Sequence, residues 1–114
     1  MEDLKQRFGQ VCDFVKVYVS EAHPVDEWKV YSDVDYCQPT TLAERMEASR
    51  RLLAENEFIS APLVLDGMDN QAEQLYAAHP ERLYVITRGT VAYKGGKGPF
   101  GYQPKELAKF LETL

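Results

Sequence analysis

Glu21 and His23 stand two residues apart at the end of a β-branched and aromatic run, Phe14-Val15-Lys16-Val17-Tyr18-Val19. Residues i and i+2 of a strand share a face, so this spacing sets a carboxylate beside an imidazole. Such a pair fixes the histidine's protonation and can serve as a proton relay. The carboxyl end of a parallel strand opens toward the crevice where α/β proteins bind ligands, which suits that chemistry. The structural alternative is a strand-end histidine hydrogen-bonded in a loop. Arg82 is the third candidate, two residues after Pro80 and directly before the apolar run Leu83-Tyr84-Val85-Ile86. Its guanidinium is always charged and favours the anionic form of a neighbouring acid over the protonated one. An ion pair with Glu81, or a bare surface charge, is the plainer use.

Trp28, Tyr31 and Tyr36 follow no period and could wall an aromatic substrate pocket, because flat rings supply large contact areas. Packing in a satellite core explains them equally well. Asp33 and Asp35 read as a solvated face. Cys12 and Cys37 lie far from a C-x-x-C spacing, so they form neither a redox dithiol motif nor a zinc knuckle. With His23 and His79 as the only histidines, no metal site is expected either. Gly95-Gly96-Lys97-Gly98 lacks the Gly-Lys-Ser/Thr ending of a phosphate loop and follows a strand hairpin instead of opening a first helix. Bound nucleotide is therefore not expected, nor any other bound cofactor.

These residues need a scaffold, and 114 residues with 45% hydrophobic content suffice for one core. A single domain over residues 1–114 is the expectation. A net charge of -5 argues against nucleic acid, whose binders cluster Lys and Arg on one face. Arg50, Arg51 and Lys94, Lys97 are short basic pairs only. No apolar run reaches membrane-spanning length, and the opening MEDLKQRF lacks the layout of a signal peptide. A cytoplasmic chain is expected, unless an upstream segment carries an anchor.

Leu4, Phe8 and Val11 share a helical face and predict a helix over residues 2–11. Residues 13–20 predict a mostly buried strand. A long loop occupies residues 21–40, a length more often functional than idle. Thr41-Leu42-Ala43-Glu44 fits a capping box opening a helix to about Glu55. Residues 62–66 read as a strand and 69–78 as a short helix. Leu83-Tyr84-Val85-Ile86 and Val91-Ala92-Tyr93 flank Arg88-Gly89-Thr90 and predict an antiparallel hairpin. Gln103-Pro104 offers a cap and first turn for a closing helix whose stripe is Leu107, Phe110, Leu111 and Leu114. The order predicts an α/β layered domain, a mixed sheet flanked by helices.

Several segments, in order and spacing, resemble the iodothyronine deiodinase family. They are Asp13 through Pro24 (DFVKVYVSEAHP), Leu42-Ala43-Glu44-Arg45, Val64 through Asn70 (VLDGMDN), Tyr76, Pro80 through Ile86 (PERLYVI) and Tyr93 through Tyr102 (YKGGKGPFGY). The resemblance covers nearly the whole chain. It implies a thioredoxin-like fold and an oxidoreductase that reductively removes iodine from thyroid hormones or related aryl iodides, with a thiol reductant as co-substrate. It further implies that Glu21 and His23 are the family's catalytic pair, His23 protonating or polarising the substrate oxygen. Arg82 falls where related thioredoxin folds keep a cis-proline and a pKa-lowering arginine.

By the same resemblance the selenocysteine or cysteine nucleophile follows a first core strand that precedes Met1, and both are absent here. Neither Cys12 nor Cys37 matches its position, so the chain alone is expected to be inactive. A family histidine upstream of the middle helix is replaced by Pro39, and Ser60 and Ala61 stand where some members keep a resolving cysteine. A missing central strand leaves two rows of backbone groups unpaired. The chain should then recruit a strand from elsewhere, as in a homodimer through the sheet edge, repack its sheet, or be marginally stable; a sheet that closes without help must pair residues 13–20 directly with 82–87. Two competing functions follow: a non-catalytic thioredoxin-like module that binds a partner by strand addition, and a peroxiredoxin-like peroxidase using Cys12.

Overall fold

The computed structural model describes residues 1–20, 37–55 and 60–114. Along them run α1 (Glu2–Phe8), β1 (Lys16–Tyr18), α2 (Leu42–Glu55), β2 (Leu63–Leu65), α3 (Gln71–Tyr76), β3 (Tyr84–Thr87), β4 (Thr90–Lys94) and α4 (Pro104–Leu111). This is the predicted order, and the chain has the α/β thioredoxin-like layout. β1 and β2 pair in parallel, Lys16 against Leu63 through Tyr18 against Leu65, with α2 in the crossover that parallel pairing requires. β3 and β4 form the predicted antiparallel hairpin. Its two-residue turn is Arg88-Gly89, both with positive φ (50° and 75°), the twist that matches two right-handed strands. Ala92 is the extra residue of a bulge between the Val85–Tyr93 and Ile86–Val91 pairs.

The predicted mixed sheet exists as two separate two-stranded sheets among the described residues. β1 does not close on β3. Between them lies a groove of about 390 Å³, with Asp13 and Val15 on one side, Leu83 and Val85 on the other, and Leu107 and Leu111 at its floor. The open edges correct the reading of residues 13–20 as a mostly buried strand. Only three of those residues pair, and Val15 and Val17 are 61% and 49% exposed, because β2 covers one edge and nothing described covers the other.

The core lies where α1 and α4 meet the hairpin. Leu4, Leu107, Ala108 and Leu111 are buried there, with Phe8, Phe14, Leu83, Val85, Tyr93 and Phe110 packed around them. Each buried leucine contributes about 1.5–3 kcal/mol through apolar burial. Both outer helices are shorter than their stripes predicted. α1 stops at Phe8, where Val11 N–H bonds back three residues to the Phe8 carbonyl at 2.9 Å and tightens the chain into a turn. Val11 therefore faces solvent. Leu114 likewise lies past α4 and is exposed. Pro104 occupies the first turn of α4 as expected, but the Gln103 side chain makes no capping bond.

At the start of α2 the Glu44 N–H donates to Thr41 Oγ1 at 3.2 Å, as a capping box requires. The glutamate reaches one residue further back than predicted. Its carboxylate accepts from the N–H of Thr40 at 2.7 Å and from the Thr40 hydroxyl at 3.0 Å. Those bonds, the backbone one first, hold the Glu44 carboxyl below its ordinary range.

Candidate functional site

Past the carboxyl end of β1 a series of buried and partly buried contacts holds the chain in place. Arg45 of α2 is 2% exposed and donates to the carbonyls of Asp66 (3.1 Å) and Gly67 (2.7 Å) and to Asn70 Oδ1 (2.9 Å). It clamps the turn that follows β2. In that turn Asp66 is 4% exposed, and its two carboxylate oxygens accept from the N–H groups of Ala72 and Glu73, each at 2.9 Å. An acceptor there satisfies free donors at the start of α3 and complements its positive end. Asn70, the residue at the cap position, makes no side-chain capping bond, so Asp66 does this work from four residues upstream.

Held in this way, Glu73 crosses to the end of β1. Its Oε2 accepts from the Ser20 hydroxyl at 2.5 Å and from the Ser20 N–H at 3.2 Å. The third member of the cluster is His79, whose Nδ1 lies 3.4 Å from Ser20 Oγ and 3.6 Å from Glu73 Oε1. All three groups are partly buried. The peptide bond after His79 is cis, as is that between Gly98 and Pro99. The sequence could not supply that.

Arg82 is the one predicted catalytic residue among the described ones. It borders the groove between the sheets. Its Nε donates to the Gly95 carbonyl at 2.8 Å, its Nη1 to the Ala77 carbonyl at 3.4 Å, and its guanidinium lies 5.6 Å from the centre of the Tyr84 ring. The alternative ion pair with Glu81 does not form. Tyr84 in turn donates from its hydroxyl to the Tyr76 carbonyl at 2.5 Å and meets the Tyr76 ring edge-on, tying α3 to β3. Glu21 and His23, with Trp28, Tyr31 and Tyr36, lie outside the described residues.

The glycine loop after β4 is structural. Gly98 N–H donates to the Glu81 carbonyl and Gly101 N–H to the Lys97 carbonyl, each at 2.9 Å, so neither is free for a phosphate. A Cβ on Gly101 would meet the Gly96 backbone at 2.6 Å, which is why glycine stands there. Cys12 packs against the core, and burial, then the Asp13 charge, pushes its thiol up from the ordinary range. No group of three metal-ligating side chains occurs among the described residues.

Sequence reasoning missed Ser20, Glu73 and His79 as a unit. The signal was slight, a histidine next to a proline in front of a strand. The partners are up to 59 residues apart, and only the parallel pairing of β1 with β2 and the placement of α3 unite them.

Comparison with known proteins gives one consistent result. The family model for iodothyronine deiodinase matches residues 1–114. Type I iodothyronine deiodinase of Xenopus laevis is 40% identical over 109 residues, 96% of this chain and 42% of that protein. Type II iodothyronine deiodinase of Petromyzon marinus is 40% identical over 113 residues, 98% of this chain and 39% of that protein. Thyroxine 5-deiodinase of Homo sapiens is 42% identical over 111 residues, 96% of this chain and 36% of that protein. The chain spans about two fifths of the length of the curated relatives it matches.

Proposed function

The chain belongs to the iodothyronine deiodinase family, and from that premise we propose that residues 1–114 are one domain forming a wall of a reductive deiodination site. The observation that carries the reading is the family match along all 114 residues. The substrate class is an aryl iodide such as thyroxine, and a thiol is the co-reductant. The attacking selenolate or thiolate comes from outside these residues. Glu21 and His23 serve as the proton-handling pair, and Trp28, Tyr31 and Tyr36 line the substrate. Arg82, whose Nη2 has no partner among the described residues, keeps the nucleophile anionic. No helix among the described residues is long and apolar enough to cross a membrane. The open edges of β1 and β3 support a homodimer formed through the sheet edge.

The overall exchange replaces an aryl C–I bond by C–H. Two thiols become one disulfide and supply two electrons, iodine leaves as iodide, one thiol proton ends on carbon and the other in solution. Iodide release from thyroxine with dithiothreitol tests the reading. The natural protein that carries these residues is expected to release iodide above the thiol blank, and Arg82→Ala to lower kcat by roughly tenfold or more. Absence of release from the natural protein, with its fold verified, would sink the proposal.

A further inference from the structure

We propose that His79 is a second proton-transfer residue of this site, oriented by Glu73 with Ser20 as a brace. The proposal rests on the deiodination reading and deepens it.

The argument is one of hydrogen-bond capacity. A serine hydroxyl has a single proton to give, and Ser20 directs it to Glu73 Oε2 at 2.5 Å. Toward His79 the same oxygen can therefore only accept. Glu73 Oε1, on the other side of Nδ1, is also an acceptor. Flanked by two acceptors at 3.4 and 3.6 Å, Nδ1 carries the hydrogen, and in the neutral ring the lone pair falls on Nε2. Among the described residues Nε2 has no hydrogen-bond partner. With Ser20 Oγ accepting from it and the Glu73 carboxylate close by, Nδ1 keeps the hydrogen and Nε2 is left as a working base or, once protonated, acid.

The cluster is also built to be rigid. Glu73 has only 19% of its side chain exposed and is held at its backbone by Asp66, while Ser20 N–H adds a second bond to the same carboxylate oxygen. A serine-nucleophile reading does not fit, because the Ser20 proton points at the carboxylate and both partners crowd Nδ1 instead of dividing the two ring nitrogens. Position favours the proton role: Ser20 lies two residues past β1, and His79 three residues before Arg82.

The step assigned to His79 is proton transfer alone. The Nε2–H bond of the imidazolium breaks and its proton passes to the substrate as the C–I bond is reduced. The neutral ring then takes a proton from the incoming thiol reductant, whose thiolate supplies electrons. Charge and protons balance within the exchange given above.

The test has two arms. Nitrogen-15 spectra of the His79 ring in this 114-residue chain should show the Nδ1–H form at neutral pH, and Glu73→Gln should erode that preference. Equal populations of the two neutral forms, or the Nε2–H form in the wild type, overturn the geometry. In the natural protein, His79→Ala should lower kcat for iodide release from thyroxine with dithiothreitol by on the order of 100-fold. KM should stay within about twofold, and added imidazole should restore much of the rate by replacing the missing acid. Glu73→Gln should lose about tenfold in kcat. A His79→Ala protein as active as wild type, or one whose loss is confined to KM and ignores imidazole, overturns the assignment and leaves the deiodination reading standing. A silent wild type overturns both.

Discussion

At the residue scale, identical chemistry takes different roles according to surroundings. Cys12 and Cys37 are both free thiols, yet Cys12 packs against the core while Cys37 is exposed. Burial first, and the neighbouring Asp13 charge second, raise the Cys12 pKa, so less thiolate is present at neutral pH than on an ordinary cysteine. Iodoacetamide should therefore modify Cys37 at least roughly tenfold faster than Cys12 at neutral pH, and the Cys12 rate should keep climbing as pH rises. Peptide mapping of the alkylated chain gives both rates. A Cys12 as fast as Cys37 would revive the peroxidase reading that family membership disfavours. The two histidines make a similar contrast. His23 was legible because Glu21 is two positions away in the sequence. His79 was not, since its carboxylate arrives from another element.

Among elements, the decisive joint is the buried Arg45. One guanidinium fork serves two carbonyls and an amide oxygen of the turn after β2, and that turn supplies Asp66 to start α3. Replacement by leucine would strand one buried and two partly buried acceptors, and a loss of about 3 kcal/mol is expected in urea unfolding. Arg45→Lys should recover less than half of that, because a single ammonium cannot span the planar fork's three partners. A lysine variant as stable as wild type would show that charge alone matters. Element types were readable among the described residues: the capping box, Pro104 in the first turn and Gly89 in the hairpin turn all act locally. Element ends were not, as Val11 and Leu114 show. Their spacing continued the helical stripe, but the backbone turned away before reaching them.

For the whole molecule, the groove between the sheets governs behaviour. Among the described residues β1 and β3 each keep one edge unpaired, and Val15, Val17 and Ile86 beside those edges are exposed. A second copy adding its edge would satisfy those backbone groups, so the 114-residue chain is expected to sediment as a concentration-dependent dimer. Hydrogen exchange should slow at residues 16–18 or 84–87 as the dimer forms. A monomer at high concentration with those amides already protected would count against it. By itself the sequence determined the order of the described elements, because this depends on period-two and period-3.6 patterns and on turn residues acting within a few positions, and it carried the family in motifs that keep their order and spacing. Tertiary structure alone decided that β1 and β3 stay apart, that Pro80 is cis, and that Ser20, Glu73 and His79 meet. Contacts between residues some 59 positions apart depend on how layers stack, and no local propensity encodes that distance.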